Sequence, residues 1–419
     1  MTTIVNPPSS GPSPVRSPIS RAELVALLAM LSATIAFSID AMLPALPEIG
    51  TALNPADPNR AQLVIAAFVL GMGLGTLFAG PMSDAFGRRP IAVGGAAIYI
   101  MAALYASTAQ GLDELLIARA LQGLGAAGPR VTAIAIVRDL FSGRHMARIT
   151  SFIMIVFTLV PVIAPSMGAA IGWAFGWRAI FLSFAVFSVV SITWLLVRLP
   201  ETLTAERRRP FRLRKLAEGL REVFTNRQVV LSICVQTLIF GMLFSMLMSS
   251  QAIFGEIFGR AETFPLWFGI MAAISASSSL LNAMIVVRFG MRSVVKWALL
   301  VQAAMTGVFL VLQLTVWSGA TPLFPVAFLW ITSVFYLAGL GIGNMNAIAL
   351  EPMGHIAGMA SSIMGAASTV ASILLAAPIG QLFDGTMLPL TVAMLVLASV
   401  AFVLVLALAD SDGEMAVDD

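Results

Sequence analysis

Charge is scarce in this chain. Only 11% of its 419 residues are Asp, Glu, Lys or Arg, while 59% are hydrophobic. A soluble domain carries about 25% charged residues, so this deficit excludes a water-soluble globule and points to a polytopic membrane protein. There is one cysteine, Cys234, which excludes a disulfide framework and a cysteine-based metal site. His145 and His355 are the only histidines and lie far apart, so a histidine-rich metal site is not expected. The apolar runs do not alternate with period two, which excludes a barrel and leaves helices. No nucleophile–base pair, metal cluster or phosphate loop is found. Gly71-Met72-Gly73-Leu74-Gly75 has neither a preceding strand nor a lysine and reads as a helix-packing stripe. No enzymatic activity and no cofactor are expected. The net charge of +3 is small and unevenly placed, which speaks of topology and not of nucleic acid.

What is present is a series of apolar runs, each near the roughly 20 residues that cross a bilayer as a helix. They cover 24–46, 61–83, 90–109, 114–138, 148–172, 177–198, 228–254, 264–287, 294–317, 323–346, 357–381 and 387–409. The expectation is an all-α integral membrane fold: twelve transmembrane helices in two six-helix bundles, 21–200 and 228–409. A Pro- and Ser-rich tail (1–20) and an acidic tail (410–419) read as disordered. Between the bundles, 201–227 is a basic linker whose stretch from Arg212 to Phe224 reads as an amphipathic helix on the membrane surface.

With the N-terminus inside, the cytoplasmic segments hold nineteen of the 24 lysines and arginines, and the outer loops only Arg60, Arg178 and Arg260. The positive-inside rule then places both termini in the cytoplasm. Arg119 and Arg130 are left within spans. The halves echo each other. Asp84-Ala85-Phe86-Gly87-Arg88-Arg89 after the second span matches Val287-Arg288-Phe289-Gly290-Met291-Arg292 after the eighth, without the acid. A duplicated unit with a site at the repeat interface is a transporter architecture.

The first span carries Asp40. An acid within a membrane helix costs about 2.5–3.5 kcal/mol on insertion scales and by default marks an ion path or a binding site. Arg119 lies at a matching depth in the fourth span and is the expected partner. Either the two form a static pair, or Asp40 alternates between a proton and a charged contact with Arg119 or a cationic substrate. Arg130 lies 11 residues beyond Arg119. It returns to within about 20° of the same face, roughly 16 Å further along. It could bind an anionic substrate group, set the cavity potential, or snorkel to the interface.

At the loop after the second span, Gly80 permits close helix approach and Gly87 a tight turn, and Arg88 can pair with Asp139. With Asp84 and Arg89 these residues form either a gate or a plain basic turn. Pro161, Pro165, Gly168 and Gly172 recur on one helical face, a bendable surface or simple close packing. The second half has no charge deep in its spans. Its candidate cavity groups include Gln236, Phe240, Tyr336 and Asn346, beside Met42, Phe68 and Phe157 in the first half.

Several of these stretches resemble one family. Gly80-Pro81-Met82-Ser83-Asp84-Ala85-Phe86-Gly87-Arg88-Arg89-Pro90 looks like the signature loop of the major facilitator superfamily. Arg119-Ala120-Leu121-Gln122-Gly123-Leu124-Gly125 is similar to its helix-4 motif, and Pro161 to Gly172 resembles its helix-5 antiporter motif, with Ser166 and Ala169 departing from it. Asp40 to Pro47 and His355 to Ser362 narrow the likeness to the Bcr/CflA-type branch of drug:proton antiporters. The resemblance implies a monomeric inner-membrane protein that exchanges small amphipathic compounds for protons by alternating access. It also implies that the Asp84 loop latches one state and that the helix-5 motif favours antiport. A metabolite or amino-acid exporter or symporter on the same fold is the alternative, and a receptor or scaffold without transport a more distant one.

Overall fold

The computed structural model describes residues 19–208 and 210–409. The expectations for 1–18, and for the acidic tail 410–419, lie outside them. The described residues form α1 (Arg21–Asp40), α2 (Leu46–Leu53), α3 (Leu63–Phe86), α4 (Arg88–Thr108), α5 (Leu112–Leu140), α6 (Gly143–Phe175) and α7 (Arg178–Arg198). After the linker come α8 (Leu213–Thr225), α9 (Arg227–Ala252), α10 (Phe264–Phe289), α11 (Met291–Thr315), α12 (Phe324–Leu350), α13 (Ala357–Gln381) and α14 (Leu388–Ala409). The described residues contain eleven stretches long and apolar enough to cross a membrane. One of these, Phe324–Gln381, is 58 residues long. At 1.5 Å per residue that is about 87 Å, too long for one crossing. It divides at the turn around Met353, whose φ of −107° and ψ of 21° interrupt the helix, into α12 and α13. The crossings are therefore twelve: α8 lies in the linker, and short α2 continues the first crossing beyond α1.

Packing repeats between the halves. In the first set, α1 touches α5, α6 and α7, while α5 packs on α3 and α4 and α4 on α7. In the second, α9 touches α12, α13 and α14, α12 packs on α10 and α11, and α11 on α14. The shift that carries α1 onto α9 thus carries each first-set contact named here onto one in the second. It also exchanges the two long seams between the sets, α3 against α13 and α6 against α10. From Leu31 to Asp40 every residue of α1 is buried, which is the signature of a helix enclosed on all sides. Its start is capped by the Ser20 hydroxyl, which accepts from the Glu23 N–H at 3.2 Å.

The linker helix, expected on the membrane surface, packs part of its apolar edge on the second set while Leu213 and Phe224 stay exposed. Its apolar edge meets the protein: Leu216 and Val223 are buried in a cluster with Ile363 and Met364, and Met359 fills the space beside Gly219. On its exposed side Arg214 and Glu218 pair at 3.0 Å. An amphipathic helix buries its apolar stripe against whichever apolar surface is near, and here the start of α13 supplies one.

Candidate functional site

The site is organised by the tight pairing of α3 with α5. The places a Cβ would take on Gly71 and Gly123 are filled by the carbonyls of Ala120 and Phe68, so the two backbones touch. That approach puts Arg119 of α5 within reach of backbone on both α3 and α1. Arg119 is fully buried. Its Nε donates to the Val64 carbonyl at 3.2 Å, Nη1 to Gln122 Oε1 at 2.6 Å, and Nη2 to the Ser38 carbonyl at 3.0 Å. Phe68 lies under the guanidinium, 4.4 Å from its centre. Asp40 stands two residues beyond Ser38 and is 6% exposed. Among the described residues its carboxyl makes no hydrogen bond and no ion pair. The expected level is therefore shared, but the expected pair is not formed. Carbonyls and a ring occupy the guanidinium, and the acid is left buried without a counter-charge.

The chain beside Asp40 is held by the Pro/Gly face of α6. The carbonyl of Ala41 fills the place a Cβ would take on Gly168, so α6 backbone rests on the end of α1 next to the acid. On its other side α6 meets α10, where Gly269 approaches the Val162 carbonyl. Gly172 lies near Ile180 in the same stretch. Pro161 and Pro165 sit inside the continuous helix Gly143–Phe175. At this end, away from the linker, the two sets are also tied directly. Asn59 Nδ2 donates to the carbonyls of Gly380 and Gln381 at 3.5 and 3.4 Å, and Gln381 Nε2 returns a bond to the Asn59 carbonyl at 3.3 Å.

At the linker end the halves part around a cavity of about 650 Å³, lined by Gly80, Asp84, Val131, Arg138, Lys215 and His355 among others. Arg88 forms its rim and does pair with Asp139. Nε reaches Oδ2 at 2.8 Å and Nη2 reaches Oδ1 at 3.3 Å, while Nη1 donates to Asp84 at 2.6 Å and to Ser83 at 2.9 Å. Gly87 joins α3 to α4 at φ +107°, a conformation open to glycine and strained for other residues. Gly290 repeats this at φ +77° in the second half. Gly80 packs against the Ser362 hydroxyl of α13. Asp84 is half exposed and faces the start of α13 across the cavity. Arg89 donates to the Leu196 carbonyl at 2.7 Å.

The remaining candidates divide. Met42 is fully buried, and Phe157, Phe240 and Asn346 are half-buried. Phe240 stacks on Phe244 at 5.7 Å. Gln236 accepts from Ser368 at 3.2 Å, and Asn344 donates to Asn282 at 2.7 Å, so polar groups of the second half bond one another. Tyr336, expected in the central cavity, instead lines a separate groove of about 580 Å³ with Trp297 and Leu329, both well exposed. Arg130 is half-buried, and among the described residues it has no hydrogen-bond or ion-pair partner.

Sequence reasoning missed Glu201. Its carboxylate accepts from the N–H groups of Arg88 and Arg89 at 2.9 and 3.0 Å, so it caps the positive end of α4. The signal was available: Glu201 is the acid at the membrane edge of a linker whose net charge is positive. Gln122 was also passed over, although it lies in the quoted helix-4 stretch and holds Arg119.

Residues 26–377 match the sequence model of the Major Facilitator Superfamily. A bicyclomycin resistance protein homolog of Haemophilus influenzae is 27% identical over 370 residues, covering 88% of this chain and 91% of the relative. The multidrug resistance protein MdtL of Escherichia coli O81 is 30% identical over 347 residues, covering 82% and 85% respectively. Among solved structures, the xylose transporter XylE from E. coli, in a partially occluded inward open conformation, superposes with a TM-score of 0.69 at 15% identity, over 92% of this chain and 98% of that one.

Proposed function

This chain belongs to the Major Facilitator Superfamily, and from that premise we propose that it exports small amphipathic compounds in exchange for protons, with Asp40 as the proton carrier. One observation carries the reading: a buried carboxyl in the first crossing has no cation in contact with it, beside the helix that closes the far end. A buried carboxylate without a partner is costly in its charged form, so a proton or a substrate charge must neutralise it during the cycle. Arg119 is the fixed cation of the site, held in one orientation by Ser38, Val64 and Gln122. The excess of lysine and arginine on one side supports a cytoplasmic linker end and cytoplasmic termini in an inner-membrane protein. The cavity at that end is then the intake, and the Asn59–Gln381 contacts and the α6–α10 seam close the outer face.

Alternating access follows from rocking the halves about their two seams. In the outward-open state the acid takes a proton from outside. In the inward-open state it yields the proton to the cytoplasm, and substrate enters. The Arg88–Asp139–Asp84 cluster and the Glu201 cap brace the loop at the cytoplasmic hinge. One net charge moving through 100 mV is worth about 2.3 kcal/mol, enough for a gradient of about 40-fold per proton. The names of the relatives, bicyclomycin resistance and multidrug resistance, support drug-like substrates. A susceptibility panel with and without expression tests the reading, with proton-driven uptake into everted vesicles giving direction. Resistance to several unrelated compounds, abolished by Asp40→Asn, is the expected result. No change in susceptibility to any compound, or uptake running inward to the cell, overturns it.

A further inference from the structure

The cytoplasmic cavity carries a charge imbalance that its composition conceals. Four carboxylates line it, and each is engaged: Asp84 and Asp139 by Arg88, Glu218 by Arg214, and Glu222 by His355 at 2.6 Å. Three of its cations, Arg138, Arg212 and Lys215, have no ion pair among the described residues. Counting Arg214 with its partner Glu218, five cations stand against these four carboxylates, so with His355 neutral the surplus is one positive charge, and a concave wall of low dielectric concentrates the field at the three unpaired cations. The cavity reaches inward along α5 as far as Val131.

Arg130 precedes Val131 in sequence, one helical step off the cavity lining, half-buried and without a partner among the described residues. Arg138 lies 8 residues before it on the inward path and Arg119 lies 11 residues after it. At 1.5 Å per residue these steps are about 12 and 16 Å, so α5 carries a guanidinium at three successive depths. Arg119 is already satisfied by carbonyls, whereas Arg130 and Arg138 offer five donors each with no acceptor. A desolvated guanidinium without a counter-charge is expensive, and a bidentate anion is the group that satisfies it. Asp40 lies at the level of Arg119, whose Nη2 bonds the Ser38 carbonyl, and so about 16 Å along the membrane from Arg130.

We infer that the preferred substrates bear an anionic group, a carboxylate or sulfonate, drawn in by Arg138, Arg212 and Lys215 and held at Arg130. This rests on the exporter reading and names its substrate class. It has an energetic consequence. Exchange of one proton inward for one univalent anion outward moves two charges through the membrane potential, whereas a univalent cation exchanged for one proton moves none. At 100 mV the potential alone then supports an anion gradient on the order of 10³-fold and no cation gradient.

The test uses two probes on one scaffold, dansylglycine with a carboxylate and dansylcadaverine with an ammonium, in everted vesicles. Dansylglycine is expected to accumulate, and to lose accumulation when valinomycin and potassium collapse the potential at constant pH gradient. Arg130→Gln should lower the ratio of dansylglycine to dansylcadaverine transport at least tenfold, and Arg130→Lys should restore part of it. Dansylcadaverine accumulating alone overturns the inference and leaves the exporter reading standing. An unchanged ratio in Arg130→Gln, at wild-type expression, also overturns it. If neither probe responds to the proton gradient, the exporter reading fails with it.

Discussion

Removing Arg88 should cost more than removing Arg88 and Asp139 together. The Arg88 side chain is 8% exposed and that of Asp139 13%, and the pair is bidentate. Arg88→Met leaves Asp139 with only the Thr202 hydroxyl, which donates to it at 3.0 Å. Stranding a buried charge costs about 3–5 kcal/mol, and the residual exposure of Asp139 places this case near the lower value. Asp139→Asn leaves Arg88 its bonds to Asp84 and Ser83, so the expected cost is about 1–2 kcal/mol. In Arg88→Met/Asp139→Leu both charges are gone. Packing, the Asp84 contact and the bonds to the Ser83 and Thr202 hydroxyls are lost; Asp84 is 51% exposed, where an ion pair is worth about 0–1 kcal/mol, and neither hydroxyl leaves a charge stranded. The double variant should therefore be more heat-resistant than Arg88→Met alone. The assay is the midpoint of heat-induced loss of the monodisperse peak in detergent, read by fluorescence-detected size exclusion. A double variant no more stable than Arg88→Met would refute the argument that the stranded carboxylate is the dominant cost.

Three further expectations concern the same scaffold. Gly87→Ala should destabilise by about 1–3 kcal/mol, because φ +107° is strained for any Cβ and Glu201 Oε2 lies in its path, and the same thermal assay reads it. Glu201→Gln keeps the shape of the α4 cap but removes its charge, and should cost about 0.5–1 kcal/mol, diminishing in high salt as a helix-terminus interaction does. Gly168→Leu should abolish transport while Gly172→Ala retains most of it: the former position is filled by the Ala41 carbonyl, and the latter meets only a side-chain methyl at 3.7 Å. Equal transport by these two variants would show that α6 does not act through the end of α1.

Much of the fold was legible because hydrophobic length and loop charge are one-dimensional signals. The twelve crossings and the basic linker follow from where apolar runs stop. Arg88 and Asp139 could be matched because both sit at the same ends of adjacent crossings, where few partners compete. Arg119 and Asp40 illustrate the limit. Depth along a helix can be counted, and the level came out right, since Arg119 bonds the carbonyl two residues before Asp40. Counting cannot foresee that Gly71 and Gly123 bring α3 and α5 so close that backbone carbonyls claim the guanidinium. Tyr336 was assigned to the centre on polarity alone, and it faces the periphery because helix rotation depends on neighbours a single sequence does not reveal. The linker helix was legible as amphipathic, but whether lipid or α13 covers its apolar edge is a tertiary outcome.

The central claim is that Asp40 takes up and releases the transported proton. It is tested most directly in proteoliposomes carrying an internal pH dye, by following proton movement when substrate is added, with wild type and Asp40→Asn at equal incorporation. Substrate-evoked proton flux in the wild type, and none in a variant that still binds substrate, is the predicted result. Proton flux at the wild-type rate in Asp40→Asn would contradict the account.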